Sequence, residues 1–330
     1  MMDVLILNES ELRQCVALDH AAIEAVEGGF TALAEGKAHI PAIVHIEVPD
    51  YNGEVDIKAA YIEGLEYFAI KVASGFLDNH KLGLPTGSGL MMLIKAQTGV
   101  PQALLLDNGY LTDVRTAAAG AIAAKYLAPD KTQVAAVIGS GMQARYQARA
   151  LKLVRDYTQL IVYGITDASV GAYVDEMQET LGLDVRRAAT AEEAVRECDV
   201  LITTTPSREP IVFSDWLHPG LHITSMGSDS EGKQELEARA LLAADRLVCD
   251  LKAQCFRFGE LQHALREGLL AEDAEITELG ELTSGSKAGR SGPEEITICD
   301  LTGVGVQDTA IALLAYNKAV EKGLGLRVGS

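Results

Sequence analysis

The sequence predicts an α/β protein in two parts, a doubly wound parallel sheet and an α+β domain built on a mostly antiparallel sheet. Three observations carry that prediction. An apolar strand pattern, Val134-Ala-Ala-Val-Ile138, runs into the glycine turn Gly139-Ser-Gly141 and then into a helix pattern from Met142 to Val154. After this turn, strand and helix patterns alternate at the spacing of parallel crossover units. Before it, from Ala42 to Leu106, short alternating runs are punctuated by Gly, Pro and Asn, as in an antiparallel sheet.

Taken in order, Glu11 to Gly36 has helical periodicity through Leu12, Val16, Ile23, Val26, Phe30 and Leu33, read as one helix or as two broken near Asp19. Ile43–Val48, Val55–Lys58, Phe68–Val72 and Gly89–Ile94 read as strands. Thr116 to Tyr126 is alanine-rich and helical, and Pro129-Asp-Lys separates it from the strand before the glycine turn. Leu160–Tyr163, Asp199–Thr205, His222–Met226, Leu247–Asp250 and Ile296–Asp300 complete the parallel sheet. Asp308 to Lys322 then forms a closing helix, expected to return to the first domain because the sheet is already complete. This places one domain at residues 1–115, completed by 308–330, and the parallel-sheet domain at 116–307, with a ligand site expected in the cleft between them.

Composition narrows the functional classes. With 330 residues and 48% hydrophobic content the chain suits two globular domains. No apolar run reaches the roughly 18 residues of a membrane span, and Met1-Met-Asp-Val-Leu-Ile lacks the cationic segment of a signal peptide. A soluble, cytoplasmic protein is expected, with no membrane partner. A net charge of −19 argues against nucleic acid as a partner, because phosphate-binding surfaces need clustered Lys and Arg. Cys15, Cys198, Cys249, Cys255 and Cys299 are odd in number and form no C-x-x-C pair, so they read as reduced, buried thiols. The histidines have no metal-ligand spacing, and no metal is expected.

The glycine turn points to a dinucleotide. Gly139 makes the tight turn, Gly141 lets backbone approach a pyrophosphate, and Ala144 lets the helix pack on its strand, with Met142 and Gln143 in the first helical turn. This is a Rossmann-type arrangement. A glycine-bearing strand-to-helix turn of no special function is the alternative, and the strand before and helix after it count against that. Cofactor choice should be set after Leu160–Tyr163, where the chain reads Gly164-Ile165-Thr166-Asp167. An acid there holds a ribose 2′-hydroxyl and an Arg holds a 2′-phosphate. No Arg follows this strand, so NAD is expected and NADP is disfavoured, with Thr166 and Asp167 as contacts. Thr204, Thr205 and Met226 lie at strand ends that would line the nicotinamide side.

Four charged residues stand in settings that ask for an explanation. Lys71 lies inside the apolar run Phe68-Ala-Ile-Lys-Val-Ala, where a cation is costly without a partner. A structural salt bridge is one explanation; holding a ligand carboxylate, or proton transfer at a shifted pKa, is the other. Lys58 alternates onto one face of its strand and could point the same way. Arg115 follows Leu111-Thr-Asp-Val at the start of the alanine-rich helix, suited to bidentate carboxylate recognition or to an ion pair with Asp113. Asp229 follows a strand at the end where substrates lie and could act as acid or base. Its rival role is capping a helix begun by Lys233-Gln-Glu-Leu.

These residues stand in longer motifs: Lys71-Val-Ala-Ser-Gly-Phe, Gly83-Leu-Pro-Thr-Gly-Ser-Gly-Leu, Thr98-Gly, Leu111-Thr-Asp-Val-Arg-Thr-Ala-Ala-Ala, Ile138-Gly-Ser-Gly-Met-Gln-Ala, Gly227-Ser-Asp, and Asp300-Leu-Thr-Gly with Asp308 beyond. Through them the chain resembles the ornithine cyclodeaminase and mu-crystallin family over nearly its whole length. The resemblance implies a homodimer that binds NAD(P) and interconverts amino acids with imino or keto acids. It also implies that Lys71 and Arg115 hold the substrate carboxylate, that Asp229 is the acid/base, and that Thr86 contacts the cofactor. Two positions depart from the family pattern: His45 stands where many relatives have Arg, and Lys58 where they are neutral. A relocated cation implies a second substrate charge in a new place, as in a dicarboxylate. Glu54-Val-Asp-Ile-Lys and Leu105-Leu-Asp-Asn-Gly-Tyr-Leu-Thr-Asp-Val-Arg look most like the branch with iminosuccinate reductase and the ectoine-utilisation proteins. An NADH-dependent reduction of iminosuccinate to L-aspartate follows as the expectation, with Lys58 or His45 on the distal carboxylate. The rivals are a cyclodeaminase or cyclic imino acid (pyrroline-2-carboxylate) reductase, and a non-enzymatic ligand-binding protein.

Overall fold

The computed structural model describes residues 3–329 and shows the α/β architecture expected, in two units. One comprises residues up to Thr116 with those from Val304 onwards, and the other is Ala117–Gly303. The first opens with β1 (Asp3–Asn8), α1 (Glu9–Cys15) and α2 (His20–Ala34). The long helical pattern is therefore two helices. Asn8 and Glu11 close a capping box on α1, and the Asp19 carboxylate accepts from Ala22 N at 2.9 Å to start α2. Next come β2 (Ala38–His39), β3 (Val44–Val48), β4 (Gly53–Ile62), β5 (Tyr67–Phe76), β6 (Gly87–Lys95) and β7 (Pro101–Leu106). Helix α3 (Tyr110–Leu127) starts earlier than the alanine-rich stretch suggests, because Asn108 and Gly109 turn the chain at φ of 52° and 88° and Asp107 Oδ2 accepts from Leu111 N at 2.8 Å. Arg115 thus sits in the second turn of this helix.

The second unit alternates β8 (Val134–Ile138), α4 (Met142–Val154), β9 (Gln159–Tyr163), α5 (Asp167–Leu181), β10 (Asp184–Arg187), α6 (Ala191–Arg196) and β11 (Val200–Thr203). It continues through β12 (Arg208–Val212), β13 (His222–Ser225), β14 (Gln234–Leu236), α7 (Ala238–Leu242) and β15 (Arg246–Cys249). It ends with α8 (Lys252–Phe258), α9 (Leu261–Arg266), β16 (Thr277–Glu278), α10 (Leu279–Thr283) and β17 (Thr297–Asp300). Its main sheet is parallel throughout, in the order β10-β9-β8-β11-β13-β17-β15-β16. Residues of β11, β13 and β17 are buried at every position, which is why these strands read as unbroken runs. The winding reverses between β8 and β11, and the carboxyl ends of those strands are where ligands bind in such sheets.

The chain returns to the first unit as α11 (Gly305–Lys322) and β18 (Leu326–Gly329). A Cβ on Gly305 would stand 2.3 Å from Ala59 O, so the first turn of α11 presses directly onto β4. This close packing brings the crossing to Gly303, ahead of the expected 307. The first unit's sheet runs β18-β1-β7-β6-β5-β4-β2 with β3 beside β4, and it is antiparallel except for β1 with β7. Among the described residues, no helix is long and apolar enough to cross a membrane.

Candidate active site

The turn after β8 has the shape its glycines suggest. Gly139 adopts φ +113°, its N–H donates to Tyr163 O at 2.8 Å, and a Cβ there would stand 2.4 Å from Thr204 Oγ1. A Cβ on Gly141 would meet nothing within 4 Å, and no side chain caps the start of α4. The Arg145 guanidinium donates to Ser140 O at 2.6 Å and Gly141 O at 3.1 Å, which holds the turn open. Ala144 is fully buried where α4 meets the sheet. A helix N-terminus with orphan amides behind an unobstructed glycine fits the pyrophosphate of a dinucleotide. Met142 and Gln143 open the same helix, and Thr204 and Thr205 follow β11, with Thr204 against Gly139.

After β9 the structure adds a residue missed in the sequence. A Cβ on Gly164 would stand 2.9 Å from Val170 Cγ2, so packing excludes an acidic side chain at the strand tip. Thr166 precedes α5, and Asp167 opens it and pairs with Arg187 of β10 at 2.6 Å. The segment after β9 carries no Arg, whereas Arg187 arrives on the adjacent strand β10. Asp167→Asn is therefore expected to release Arg187 for a 2′-phosphate and to raise the NADPH/NADH ratio of kcat/KM about tenfold. Steady-state kinetics with both cofactors check this, and an unchanged ratio rejects it.

Asp229 belongs to a tightly fastened loop that begins after Met226. Gly227 N donates to Glu235 Oε2 at 2.8 Å, Ser228 Oγ to Lys233 O at 2.7 Å, and Gly232 N to Gln262 Oε1 at 2.9 Å. Residues 234–236 form β14, so Asp229 caps no helix there. Its Oδ1 instead lies 2.7 Å from Lys233 Nζ, with about half of the side chain exposed.

In the first unit, β4–β5 register places Lys58 directly opposite Lys71. Lys58, Lys71 and Arg115 are all buried, and Asp308 from the first turn of α11 joins them. Asp308 Oδ1 lies 3.0 Å from both Lys71 Nζ and Arg115 Nε. Burial and the neighbouring Arg115 push the Lys71 ammonium down to about 7, with Asp308 opposing and Lys58 adding to the shift. Gln307 Oε1 accepts from Val304 N at 2.6 Å and from Arg115 Nη1 at 3.4 Å. Its Nε2 is a buried donor with no partner among the described residues. His45 lies on β3 with Nδ1 2.7 Å from Asp56 Oδ1, and it is engaged by that acid rather than by the Lys71 cluster. Thr86 is exposed just ahead of β6. Sequence reasoning took Asp308 as the beginning of a helix and as a motif residue beyond Asp300-Leu-Thr-Gly, with no partner assigned to it. Its signal was the one that exposed Lys71, a charge among buried apolar positions.

A parallel sheet of this order with an open glycine turn at its switch point defines the class, a dinucleotide-dependent oxidoreductase. The chain belongs to the ornithine cyclodeaminase/mu-crystallin family, whose sequence model matches residues 2–323. It is 48% identical over 326 residues to an uncharacterized cyclodeaminase of Sinorhizobium fredii, covering 98% of each chain. Its fold is similar to that of Δ1-pyrroline-2-carboxylate reductase of Thermococcus litoralis in complex with NADH and L-proline, with TM-score 0.93, 35% identity and coverage of 98% of this chain and 100% of that one. It is also similar to iminosuccinate reductase of Paracoccus denitrificans in complex with NAD⁺, with TM-score 0.90, 31% identity and coverage of 99% and 100%.

Proposed function

We propose that this chain is an NADH-dependent imine reductase whose substrate is a dicarboxylate, iminosuccinate, reduced to L-aspartate. One observation carries the substrate choice: Lys58 is buried directly across from Lys71. Lys58, Lys71 and Arg115 bring three buried cationic side chains to one part of the first unit, a setting in which cations bind carboxylates strongly. A substrate with two carboxylates offers these cations two anionic groups to hold.

In this reading Arg115 and Lys71 bind the α-carboxylate, assisted by the Gln307 amide donor, and Lys58 binds the distal one. His45 is held by Asp56, which leaves Lys58 as the better candidate for that role. Asp229, paired with Lys233, or a water it positions, manages the proton that the imine nitrogen gains. Gly139, Gly141, Met142 and Gln143 hold the pyrophosphate, with Ala144 packing α4 on the sheet beneath them, Thr166 and Asp167 face the ribose, and Thr86, Thr204, Thr205 and Met226 contact the remainder. When bound, the dinucleotide supplies the hydride that reduces the imine carbon. Two-point anchoring of the substrate fixes which face of that carbon is presented. The protein acts as a homodimer in this proposal, a second copy covering the exposed Val44, Ile46, Tyr51 and Leu77 of the first unit, where Leu77 N donates to Asn52 O at 3.0 Å and joins the two segments.

Steady-state oxidation of NADH with iminosuccinate generated from oxaloacetate and ammonia tests the reading, beside Δ1-pyrroline-2-carboxylate in the same assay and L-ornithine in a separate one that follows ammonia release in the presence of NAD⁺. Iminosuccinate is expected to have the highest kcat/KM. Lys58→Met is expected to raise its KM about 10- to 100-fold, with little effect on the monocarboxylate. Turnover confined to the cyclic imine or to ornithine rejects the dicarboxylate.

A further inference from the structure

We infer that Glu235 is a positioning residue for the reaction, its buried carboxylate fastening the loop after β11 to the loop after β13 that carries Asp229. The inference rests on the dinucleotide and Asp229 roles proposed above, and it concerns a residue that touches neither substrate nor cofactor in that reading.

The geometry is that of a staple. Glu235 is fully buried, and its Oε1 accepts from Thr205 N at 2.5 Å. Its Oε2 accepts from Gly227 N at 2.8 Å and from the Thr203 hydroxyl at 2.6 Å. A Cβ on Gly227 would stand 2.2 Å from Thr205 O and 2.5 Å from Glu235 Oε2, so the two loops touch, with the carboxylate wedged against both. The Thr203–Thr205 loop also governs the glycine turn, since Thr204 N donates to Ile138 O at 2.9 Å and the Thr204 hydroxyl fills the space above Gly139. A single carboxylate therefore sets the ends of β8, β11 and β13 together.

The staple is itself anchored. Glu235 N and Leu236 N donate to the Glu260 carboxylate at 2.9 and 3.2 Å, and His263 Nε2 donates to Lys233 O at 2.7 Å. The chain thus leaves β13 at Gly227, carries Asp229 outward, and returns through β14 to fasten its own point of departure. Burial pushes the Glu235 carboxyl above the usual carboxylate range, and the donors from Thr203, Thr205 and Gly227 oppose that shift. A carboxylate is required because both oxygens face N–H donors. An amide of the same shape would set its NH₂ against one of them.

Glu235→Gln is therefore the informative variant, with Thr203→Val, which removes one donor, as the milder companion. Three measurements read the result: amide hydrogen exchange at Thr205 and Gly227, NADH affinity by fluorescence titration, and kcat against KM. In Glu235→Gln, exchange at both amides is expected to quicken, the NADH Kd to rise about tenfold and kcat to fall about tenfold. Thr203→Val should move each in the same direction by less. Hydrogen exchange needs neither cofactor nor substrate, so it tests the staple independently of the functional reading, which NADH binding by the parent protein tests by itself. A lower melting temperature with unchanged exchange at the two amides, or with unchanged NADH affinity and kcat per folded enzyme, overturns the inference. If Glu235→Gln does not fold, Thr203→Val decides: parental exchange, Kd and kcat in that variant overturn it as well.

Discussion

Replacing Lys71 with methionine is expected to lower kcat/KM for the imine about 10²- to 10³-fold while NADH affinity stays unchanged. Methionine keeps the length and apolar stem of the side chain and removes the ammonium, so the loss reports the charge rather than a cavity. The residue is 1% exposed, and its interaction with a substrate carboxylate is correspondingly unscreened. The parent enzyme should also lose kcat/KM on the alkaline side. Burial first, then repulsion from Arg115, bring the Lys71 ammonium down to about 7 against the attraction of Asp308. Below that pH Lys71 is charged and binds the carboxylate; as pH rises through it, the proton leaves and the binding weakens. Because kcat/KM reports the free enzyme, the limb belongs near 7 in that parameter, and a bound carboxylate moves it upward in kcat. Lys71→Met should have no such limb. If the limb persists there, another group produces it.

Asp308→Asn is expected to destabilise the protein by about 3–5 kcal/mol, because it leaves Lys71 and Arg115 buried without the charge they share. The midpoint of urea unfolding measures this directly. A second readout separates electrostatics from packing. Asp308 is the attraction that helps Lys71 keep its proton. Without it the alkaline limb of kcat/KM moves to lower pH, and at neutrality more of the enzyme carries an uncharged Lys71. A variant as stable as its parent, with the limb in place, would show that the cations are balanced by something else.

Much of this molecule was legible from local pattern. The glycine turn could be recognised because a positive φ and a close approach to Thr204 leave room for glycine alone. The central parallel strands were legible because they are buried on both faces. Lys58, Lys71 and Arg115 drew notice because a cation among apolar residues needs an explanation. Other features escaped for equally physical reasons. β1 is six residues long and pairs with β7 far along the chain, so its short apolar run carried no signature of a sheet. Asp229 invited a helix-capping role only because Lys233-Gln-Glu-Leu has helical composition, and pairing with β12 makes that stretch a strand.

By itself, then, the sequence determined the order of the central parallel strands and their helices, the nucleotide-binding turn and the roster of unusual cations. These follow from periodicity, turn sterics and the cost of burying charge, all of which act within a few residues. Only the tertiary structure decided which charges meet. It set Lys58 against Lys71 through strand register, brought Asp308 to both Lys71 and Arg115 by laying α11 on β4, placed Arg187 beside Asp167 from a neighbouring strand, and closed the Asp229 loop on Glu235. Lys71 and Asp308 are over two hundred positions apart. Their partnership is a property of packing, because a buried charge takes its partner from whichever element the core presses against it.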